Sequence, residues 1–378
     1  MSEPHYDLAV IGAGILGLAH ALAAARRGLR VAVIDRDAAA NGASIRNFGF
    51  VTVTGQEAGA CWDLAMRSRG IWAEIAQAAS IPILQRGLLV TARRPEAEAV
   101  IEAFLATPMG QACRWMTPAE AARYLPNLKP DGATAALFSP HELRVESRTA
   151  LPRIAAWLSE AHDVQFYWQQ NALSVSAGLI EIPQGRIRAE AVVACPGDDL
   201  AQLWPQIAQR FAVTRCKLQM LRVRPARPRP LASAVMSDLG LARYRGYAAL
   251  PAAAALASRL DDEQPGQREN GVHLIVVQSA DGSLVVGDSH HYGATPDPFL
   301  RREIDRLILA EMEAVLDLGP YTVAERWAGT YASAPDRWRL CAQPDPQTRV
   351  VVVTAGCGAS TAFGIGEETV ASLFGRKG

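Results

Sequence analysis

Apolar and polar segments alternate along the chain in a way that predicts strands and helices, and the pattern is clearest at the N-terminus. Residues 7–11 form an apolar run of the length of one buried strand. Residues 15–27 are rich in Ala and Leu and contain no Pro, which is typical of a helix. Gly28 stands where a glycine commonly ends a helix, and residues 29–34 form a second apolar strand. The pattern therefore predicts a strand, a helix and a second strand in succession.

A comparable unit is predicted at the C-terminus, where a β-branched strand at 349–354 is followed by a glycine-rich stretch at 355–366 and a helix at 367–374. Between the two ends, periodicity predicts helices at 57–80, 95–109, 146–161 and 299–316, and strands at 84–92, 133–138, 164–168, 189–197, 214–223 and 323–331. Hairpins are predicted around Gln184-Gly185 and Asp281-Gly282.

The chain of 378 residues is long enough for two domains, each with its own core. Segments 84–138 and 214–327 are predicted to contain antiparallel strands with helices. Segments 1–83, 139–213 and 328–378 show the succession of strand and helix that is typical of an α/β domain. We therefore expect a discontinuous α/β domain that is interrupted twice by a second domain.

Within the N-terminal unit, Gly12, Gly14 and Gly17 have the G-x-G-x-x-G spacing. Gly12 allows a tight turn, Gly14 lets a pyrophosphate approach the helix N-terminus, and Gly17 lets the helix pack closely on the strand. Asp35 ends the second strand, where an acid can accept hydrogen bonds from an adenosine ribose and would repel a 2′-phosphate. A glycine-rich turn without a ligand is the alternative, but strand, helix, second strand and acid occur in the required order. NAD and FAD both remain open from this motif.

Composition excludes several classes of function. Lys and Arg together number 38, as do Asp and Glu, and no long basic run occurs, so we expect no nucleic-acid partner. Segment 222–230 is basic and rich in Pro, and we interpret it as a strand end followed by a rigid loop. The six cysteines lack C-x-x-C spacing, which indicates reduced thiols and a cytoplasmic location. No apolar stretch reaches the ~18 residues of a membrane span.

Four motifs together resemble the D-amino-acid oxidase and glycine or sarcosine oxidase family of FAD-dependent oxidoreductases. They are the opening glycine motif with Asp35, ASIRNFGF at 43–50, VVACPG at 192–197 and TAGCGASTAFGIG at 354–366. The resemblance covers essentially the whole chain, and the combination favours FAD over NAD. It implies an amine oxidase or dehydrogenase of the α/β class. A Rossmann-type, doubly wound FAD-binding domain would occupy 1–83, 139–213 and 328–378, and an α+β substrate domain with a mixed or antiparallel sheet would occupy 84–138 and 214–327.

The resemblance also implies which residues bind FAD. Those expected at the pyrophosphate and adenosine are Gly12, Ala13, Gly14, Ile15, Leu16, Gly17, Asp35, Arg36, Cys195, Pro196 and Gly197. Those expected along the pyrophosphate and the flavin are Ser44, Arg46, Asn47, Phe48, Gly49, Gly329, Gly358, Ala359, Ser360 and Thr361. Backbone N–H groups at 358–361 would face the N1–C2 edge of the flavin, which becomes anionic on reduction and is stabilised by a helix N-terminus.

The chain departs from the family at the substrate-binding turn. Relatives that oxidise free amino acids usually carry an arginine after the sequence W-A-G, where it binds the substrate carboxylate. Here residues 327–329 are followed by Thr330 and Tyr331, which argues against an α-amino-acid substrate. Relatives of the sarcosine oxidase type attach FAD to a cysteine near this turn. No cysteine lies between Cys216 and Cys341, so we expect non-covalent FAD.

Within the family, the string SIRNFGF resembles a subgroup associated with phosphonate catabolism. Its members look like oxidases of N-alkylated 2-aminoethylphosphonate that form phosphonoacetaldehyde and an amine. Arginine matches phosphonate oxygens best, because its guanidinium donates two parallel hydrogen bonds. The residues expected to bind the substrate are Arg46, Tyr247, His290, His291 and Tyr331, and Arg243, Arg245 and Arg337 are further candidates for its anionic group.

Several points stay open on the sequence alone. The adjacent His290 and His291 are either substrate ligands or surface loop residues, and no third metal ligand stands in register, so we expect no metal. Lys217 and Gln219 face either the flavin or solvent. No acid or base is assigned. The electron acceptor is O2 or another oxidant. The alternatives to a phosphonate oxidase are a glycine, sarcosine or D-amino-acid oxidase, a non-catalytic flavin-binding subunit and an NAD-binding scaffold.

Overall fold

A computed structural model describes residues 3–129 and 132–375, which form two sheets with helices around them. The strands of the first sheet are β1 (His5–Ile11), β2 (Val31–Ile34), β7 (Gln165–Tyr167), β8 (Ser174–Ser176), β9 (Leu179–Ile182), β10 (Gly185–Ala194), β17 (Arg339–Asp345) and β18 (Thr348–Val353). Those of the second sheet are β3 (Phe50–Val51), β4 (Ile83–Ala92), β5 (Arg114–Met116), β6 (Ala135–Val145), β11 (Thr214–Pro225), β12 (Ala234–Met236), β13 (Ile275–Gln278), β14 (Leu284–Gly287), β15 (His291–Gly293) and β16 (Tyr321–Ser333).

The helices connect these strands and cover the sheets. They are α1 (Ile15–Ala25), α2 (Ala60–Ala78), α3 (Pro95–Leu105), α4 (Pro118–Tyr124), α5 (Ser147–His162), α6 (Leu200–Leu203), α7 (Pro205–Arg210), α8 (Arg245–Ala248), α9 (Ala253–Glu263), α10 (Pro265–Glu269), α11 (Arg302–Val315) and α12 (Gly358–Phe374). Short 3₁₀ turns lie at Pro108–Gly110, Gly197–Asp199 and Asp238–Gly240. Among the described helices, none is both long and apolar enough to cross a membrane.

The first sheet is parallel at its centre, in the order β18-β10-β1-β2-β7, with β17 antiparallel at one edge. Successive residues of a strand face opposite sides of a sheet. Leu8 and Val10 accordingly pack in the core with α1, α2, α5 and α12, whereas Ala9 packs in a separate core cluster. Both faces are thus buried, which explains why β1 is a continuous apolar run and agrees with the predicted doubly wound α/β class.

The second sheet is mostly antiparallel and follows the order β15-β11-β14-β13-β12-β4-β6-β3. Its one parallel pair among the described strands is β12 with β4, so the sheet is mixed, as the resemblance implied. The long strand β16 pairs with β11 along its length. Helices α3 and α9 contribute to the core on one face, and α11 contributes to the core on the other. This arrangement is the expected α+β architecture.

The residue ranges of the two predicted domains only partly coincide with the two sheets. The strands that lie wholly within 84–138 and 214–327 all belong to the second sheet. Strand β3, inside 1–83, also joins this sheet by pairing with β6. Strands β4, β6 and β16 run across the predicted boundaries. The proposed division by residue range would therefore cut through continuous strands.

The last helix begins at Gly358, inside the stretch that the sequence pattern assigned to a glycine-rich turn, so its predicted start at residue 367 is wrong. A Cβ at Gly366 would lie 2.7 Å from the carbonyl oxygen of Ala19 in α1, and one at Gly364 would lie 2.7 Å from Leu64 in α2. The glycines are there because three helices pack closely. Segment 232–270, for which no element was predicted, contains β12 and α8 to α10.

Candidate cofactor site and active site

The two sheets meet around one large cavity of about 900 Å³. It is lined by the turn after β1, by the loop at 40–48, by the residues after β10, by the start of α12, and by residues of β11, β15 and β16. The six cysteines are all free, and Cys61, Cys195 and Cys357 lie at this cavity. The cavity is therefore bounded by the predicted dinucleotide motifs on one side and by the second sheet on the other.

The turn after β1 is held by close backbone contacts that only glycine permits. Gly12 has a φ of 98°, and a Cβ there would lie 2.6 Å from the carbonyl oxygen of Cys195. A Cβ at Gly17 would lie 1.8 Å from the carbonyl oxygen of Gly12. Ala13 donates its backbone N–H to Asp35 at 2.6 Å. These contacts thus fix the turn, the start of α1 and Asp35 against one another.

Two helices begin at the cavity. Helix α1 starts after Gly14, and α12 starts after Cys357, and neither N-cap residue provides a side-chain hydrogen bond. The first-turn N–H groups of a helix have no intrahelical acceptor and carry a partial positive charge, so they attract anions. Ser44 accepts one of them, the N–H of Ile15, at 2.9 Å. Two electropositive helix ends in one cavity suit a pyrophosphate and an electron-rich ring edge.

Asp35 lies at the adenosine end of the predicted site. Its carboxylate accepts N–H groups from Ala13 at 2.6 Å and from Asp37 at 2.9 Å. Burial raises the pKa of Asp35, and these two hydrogen bonds act in the opposite direction. Beside it, Arg36 forms an ion pair with Asp199 at 2.6 Å. Asp35 is therefore positioned by the backbone and faces the cavity.

The loop at 43–49 is shaped by its own side chains and by β16. Asn47 donates to the carbonyl of Ala43 at 2.7 Å and accepts the N–H of Gly49 at 2.6 Å. Trp327 donates its indole N–H to the carbonyl of Arg46 at 3.1 Å. A Cβ at Gly329 would lie 2.8 Å from the same carbonyl oxygen. Strand β16 of the second sheet thus holds the loop against the cavity.

Most of the residues predicted to bind the cofactor line the cavity. They are Gly12, Gly14, Ile15, Leu16, Gly17, Asp35, Arg36, Ser44, Arg46, Asn47, Phe48, Cys195, Pro196, Gly197, Gly329, Gly358, Ala359 and Ser360. Ala13, Gly49 and Thr361 are outside the lining. Ala13 supports Asp35, Gly49 makes a turn against Val145, and Thr361 bonds back to Cys357. The glycine cradle, the two helix ends and the positioned carboxylate fit an adenine dinucleotide such as FAD.

Comparison with known proteins decides between NAD and FAD as the bound dinucleotide. Residues 7–372 match the family described as "FAD dependent oxidoreductase", abbreviated DAO. The chain belongs to the DAO family. A glycine oxidase from Geobacillus kaustophilus (strain HTA426) is 24% identical over 236 residues, which are 59% of this chain and 63% of the relative. The aligned part thus spans less than two thirds of that curated relative.

Solved structures share the fold. A glycine oxidase from Geobacillus kaustophilus has a TM-score of 0.77 at 19% identity, covering 99% of this chain and 96% of that one. An L-proline dehydrogenase from P. horikoshii has a TM-score of 0.80 at 17% identity, covering 99% and 94%. An L-alpha-glycerophosphate oxidase from Mycoplasma pneumoniae with FAD bound has a TM-score of 0.74 at 16% identity, covering 99% and 95%. FAD is the cofactor of this family, and no cysteine stands in the sequence between Cys216 and Cys341, where W-A-G lies.

At the second-sheet side of its cavity, this DAO protein carries a buried cluster of His273, Asp288 and His290. Beyond the last β13–β14 pair, Ile275 with Gly287, the register shifts by one residue. His273 and Asp288 then exchange backbone hydrogen bonds of 3.2 and 3.0 Å. Residues paired in this way point their side chains to the same face. Asp288 Oδ1 lies 3.2 Å from His273 Nδ1, and Asp288 Oδ2 lies 3.8 Å from His290 Nε2. The hairpin thus brings together residues that are 15 to 17 positions apart in sequence.

Burial sets the charge of this cluster. It raises the pKa of Asp288 to about 8, although the Arg243 guanidinium acts in the opposite direction. Burial lowers the pKa of both His273 and His290 well below the usual value, and the Arg243 charge lowers it further. At neutral pH both imidazoles are therefore uncharged and the Asp288 carboxyl holds a proton.

Arg243 provides the positive charge at this end of the cavity. Its guanidinium donates to the hydroxyl of Tyr292 at 3.1 Å. Tyr244, next in sequence, is within 3.3 Å of His273 Nε2, and Tyr331 packs edge-on against His290 with ring centroids 6.4 Å apart. All four side chains line the cavity. The DAO protein thus presents one guanidinium and three phenol hydroxyls beside the cluster of His273, Asp288 and His290.

The residues predicted to bind substrate are divided by the structure. Arg46, His290 and Tyr331 line the cavity, whereas Tyr247 and His291 are not part of its lining. Tyr247 is buried against Phe104, with ring centroids 4.7 Å apart. His291 points toward Asn270 and Arg301, at 3.1 and 2.9 Å.

The other open candidates are also placed. Arg245 lines the cavity and pairs with Glu57 at 3.0 Å, whereas Arg337 lies outside the lining and pairs with Asp336 at 2.6 Å. Lys217 and Gln219 face neither the cavity nor solvent. Both are buried, and they hydrogen-bond to the segment that leads into α11, at Phe299 and Arg301 respectively.

Asp288 and His273 were missed on the sequence. Asp288 stands in the GDSHHYG string, which drew attention only through its histidines, and His273 carries no local pattern at all. The atoms of His273, Asp288 and His290 that could bind a metal lie within 4.8 Å of one another. The fold thus brings together three possible metal ligands that the sequence pattern did not show. Imidazole and carboxylate groups are common ligands of divalent cations. The charge of Arg243 opposes a divalent cation at this place.

Proposed function

We propose that this protein oxidises a C–N bond of a small amine that carries an anionic group, with FAD as the oxidant. The observation that supports this most directly is the shared cavity, in which the FAD-binding motifs, Arg243 and Asp288 face the same space. Bound FAD supplies the acceptor for the hydride that leaves the carbon next to nitrogen. The names of two relatives, glycine oxidase and L-proline dehydrogenase, describe reactions on small amino acids.

The chain itself contributes orientation and charge. The helix N-termini at Gly14 and Gly358 favour negative charge on the pyrophosphate and on the ring. Arg243 and the hydroxyls of Tyr292 and Tyr331 are donors for the anionic group of the substrate. Phe48, which is 7% exposed, and the packed loop around it limit the access of water.

The more specific proposal is that the substrate is an N-alkylated 2-aminoethylphosphonate, which yields phosphonoacetaldehyde and an amine. Thr330 and Tyr331 stand where a carboxylate-binding arginine is expected, and the SIRNFGF loop resembles the phosphonate-linked subgroup. A phosphonate has three acceptor oxygens, which suit the guanidinium of Arg243 together with several hydroxyl donors. Glycine or sarcosine is the competing substrate class, and the glycine oxidase relatives favour it.

The test is an anaerobic titration of the purified yellow protein with amines, followed by steady-state kinetics. Bleaching of the flavin spectrum by an amine, without any partner protein, is expected. Its absence would favour the alternative of a non-catalytic flavin-binding subunit. Comparing kcat/KM for N-methyl-2-aminoethylphosphonate with kcat/KM for sarcosine and glycine shows whether the enzyme prefers a phosphonate or a carboxylate substrate. If sarcosine or glycine is oxidised as well or better, the phosphonate proposal is wrong.

A pair of arginine variants tests the assignment of the head-group site. Arg243→Gln removes the charge that faces the cavity and is expected to raise KM by about tenfold or more, because charge-assisted hydrogen bonds contribute roughly 1.5–3 kcal/mol. Arg337→Gln is the control, since Arg337 lies outside the cavity and pairs with Asp336. Equal KM values for the two variants would exclude Arg243 as the anion ligand.

A further inference from the structure

The cluster of His273, Asp288 and His290 contains more hydrogen-bond acceptors than donors. His290 Nδ1 lies 2.9 Å from the carbonyl oxygen of Gly271. A carbonyl oxygen only accepts, so Nδ1 carries the ring proton and Nε2 presents a lone pair toward Asp288. The uncharged His273 has Nε2 beside the Tyr244 hydroxyl at 3.3 Å, which can accept its ring proton.

Two polar atoms of this cluster lack a hydrogen-bond partner among the described residues. They are His273 Nδ1 and Asp288 Oδ1, which lie 3.2 Å apart without the alignment of a hydrogen bond. The side chains of His273 and Asp288 are 4% and 5% exposed. Leaving a buried polar atom unpaired costs roughly 1–3 kcal/mol, so such atoms at a cavity wall indicate a missing ligand group. The group that would satisfy them has N–H or O–H donors.

Charge distinguishes between the possible donors. A carboxyl kept in its neutral form by burial gains stability as a carboxylate when a cation binds beside it. A divalent cation would add two positive charges next to Arg243, whereas a protonated amine adds one and brings its own anionic group to Arg243. A small amine with an anionic tail therefore matches the order of charges along this cavity wall.

We propose that Asp288, flanked by His273 and His290, binds the protonated amine of the substrate and accepts one of its protons. This inference rests on the proposed amine oxidation. Asp288 releases its own proton to solvent when the ammonium binds beside it, because the cation favours the carboxylate. The N–H bond of the substrate ammonium then breaks and an O–H bond forms on the Asp288 carboxylate, so the electron pair stays on nitrogen. The free amine then has the lone pair that carbon–nitrogen oxidation requires. No further reactant is needed for this step.

Other titratable groups surround Asp288 and will contribute to any pH profile. These groups come from five parts of the chain. Arg243 and Tyr244 precede α8, and His273 precedes β13. Cys216 lies on β11, Tyr331 lies on β16, and His290 and Tyr292 follow Asp288 in sequence. Burial raises the pKa of Cys216 to about 11, and raises the pKa of Tyr244 and Tyr331 as well. Among these groups, Asp288 is the one whose pKa burial raises toward neutral pH.

The test is the pH dependence of kcat/KM for the wild type and for Asp288→Asn, with the amine that bleaches the flavin best. Asparagine cannot accept the proton, so the variant depends on the small fraction of amine that is already free. That fraction grows as pH approaches the pKa of an alkylamine, about 10. The ratio of wild-type to variant kcat/KM is therefore expected to fall by about tenfold or more between about pH 7 and pH 10. Asp288→Glu, which keeps a carboxyl, is expected to retain the wild-type form of the profile.

The control is Asp281→Asn, at the exposed tip of the same hairpin, where Asp281 pairs with Arg224. Its profile is expected to match that of the wild type. A ratio for Asp288→Asn that stays constant over the pH range would indicate a purely structural role and overturn this inference alone. Activity lost on chelation and restored by a divalent cation would assign the three side chains to a metal and also overturn it. Failure of the wild type to oxidise any amine would overturn the proposed function, and the inference with it.

Discussion

Asp35 is the single residue whose removal tests the cofactor site most directly. Asp35→Ala deletes the carboxylate that accepts the N–H groups of Ala13 and Asp37 and faces the cavity. Loss of charge-assisted hydrogen bonds to the ribose, roughly 1.5–3 kcal/mol, is expected to weaken FAD binding by about tenfold or more. The dissociation constant can be measured by titrating apoprotein with FAD and following flavin fluorescence. Unchanged FAD affinity would exclude Asp35 as the ribose ligand.

Tyr331 and His291 form a matched pair of variants for the substrate end of the cavity. Tyr331 lines the cavity beside His290, whereas His291 is outside the lining and contacts Asn270. Tyr331→Phe removes only a hydroxyl and is expected to raise KM severalfold, because a neutral hydrogen bond contributes about 1 kcal/mol. His291→Ala is expected to leave KM unchanged. A larger effect of His291→Ala in steady-state kinetics would contradict this placement.

The burial of His20 allows a prediction of how the free energy of unfolding depends on pH. His20 is fully buried in α1, it bonds to the carbonyl of Leu16 at 2.6 Å, and burial lowers its pKa to about 4. An unfolded histidine has a pKa of about 6.5, so the unfolded state binds the proton first as pH falls. The stabilisation by neutral His20 is complete above pH 6.5 and is lost between about pH 6.5 and pH 4.

The corresponding variant is His20→Leu, which keeps the apolar packing and does not titrate. From pH 7.5 to pH 5 the wild type is expected to lose about 2 kcal/mol more unfolding free energy than the variant. Urea denaturation at the two pH values, with FAD in constant excess, measures this difference. Identical losses in both proteins would show that folding does not lower the pKa of His20.

At the scale of elements, the close packing of α1 against α12 can be tested with two glycine-to-alanine variants. Gly366 lies in α12 where an added Cβ would be 2.7 Å from the carbonyl oxygen of Ala19, whereas Gly70 lies in α2 with nothing within 4 Å. Gly366→Ala is expected to destabilise by about 1–3 kcal/mol through overpacking. Gly70→Ala is expected to stabilise by about 0.5–1 kcal/mol, since alanine favours helix. Thermal unfolding distinguishes the opposite signs, and equal shifts would contradict the close packing.

Elements with strong local patterns were predictable. The β13–β14 hairpin around Asp281-Gly282 and the strands β11 and β16 follow from alternation and turn chemistry that are visible in the sequence. The pairing of β11 with β16 was not predicted. Segment 232–270 was not predicted, because its short helices and β12 are fixed by packing rather than by periodicity. The start of α12 was misplaced for a similar reason: glycine disfavours a helix locally, and only the neighbouring helices α1 and α2 explain its presence.

At the scale of the whole molecule, the cavity needs both sheets in place. FAD should therefore bind only the folded chain and stabilise it by mass action, by about 2.7 kcal/mol at a hundredfold excess over its dissociation constant. Acid precipitation is expected to release the flavin completely into the supernatant, because no covalent bond holds it. The absorbance of pellet and supernatant measures this. A pellet that stays yellow would show a covalent bond.

The sequence by itself determined the dinucleotide motif, the order of elements around it and the class of cofactor. These features depend on residues within about thirty positions of one another, such as Gly12 and Asp35, or on motifs whose spacing is local. The expected dinucleotide site and the α/β class follow from such local information, because backbone conformation and short-range packing specify them. FAD and the mixed second sheet were expected from the resemblance to the family.

Only the tertiary structure decided which polar residues meet at the substrate end of the cavity. Asp288 and His273 become neighbours through the register of a hairpin, and Arg243 reaches them from the segment before α8. The same register turns His290 toward the cavity and leaves His291 outside it. Burial then determines the protonation of the cluster, and burial is a property of the assembled fold. No local pattern carries that information, because the charge of a buried group depends on everything that surrounds it.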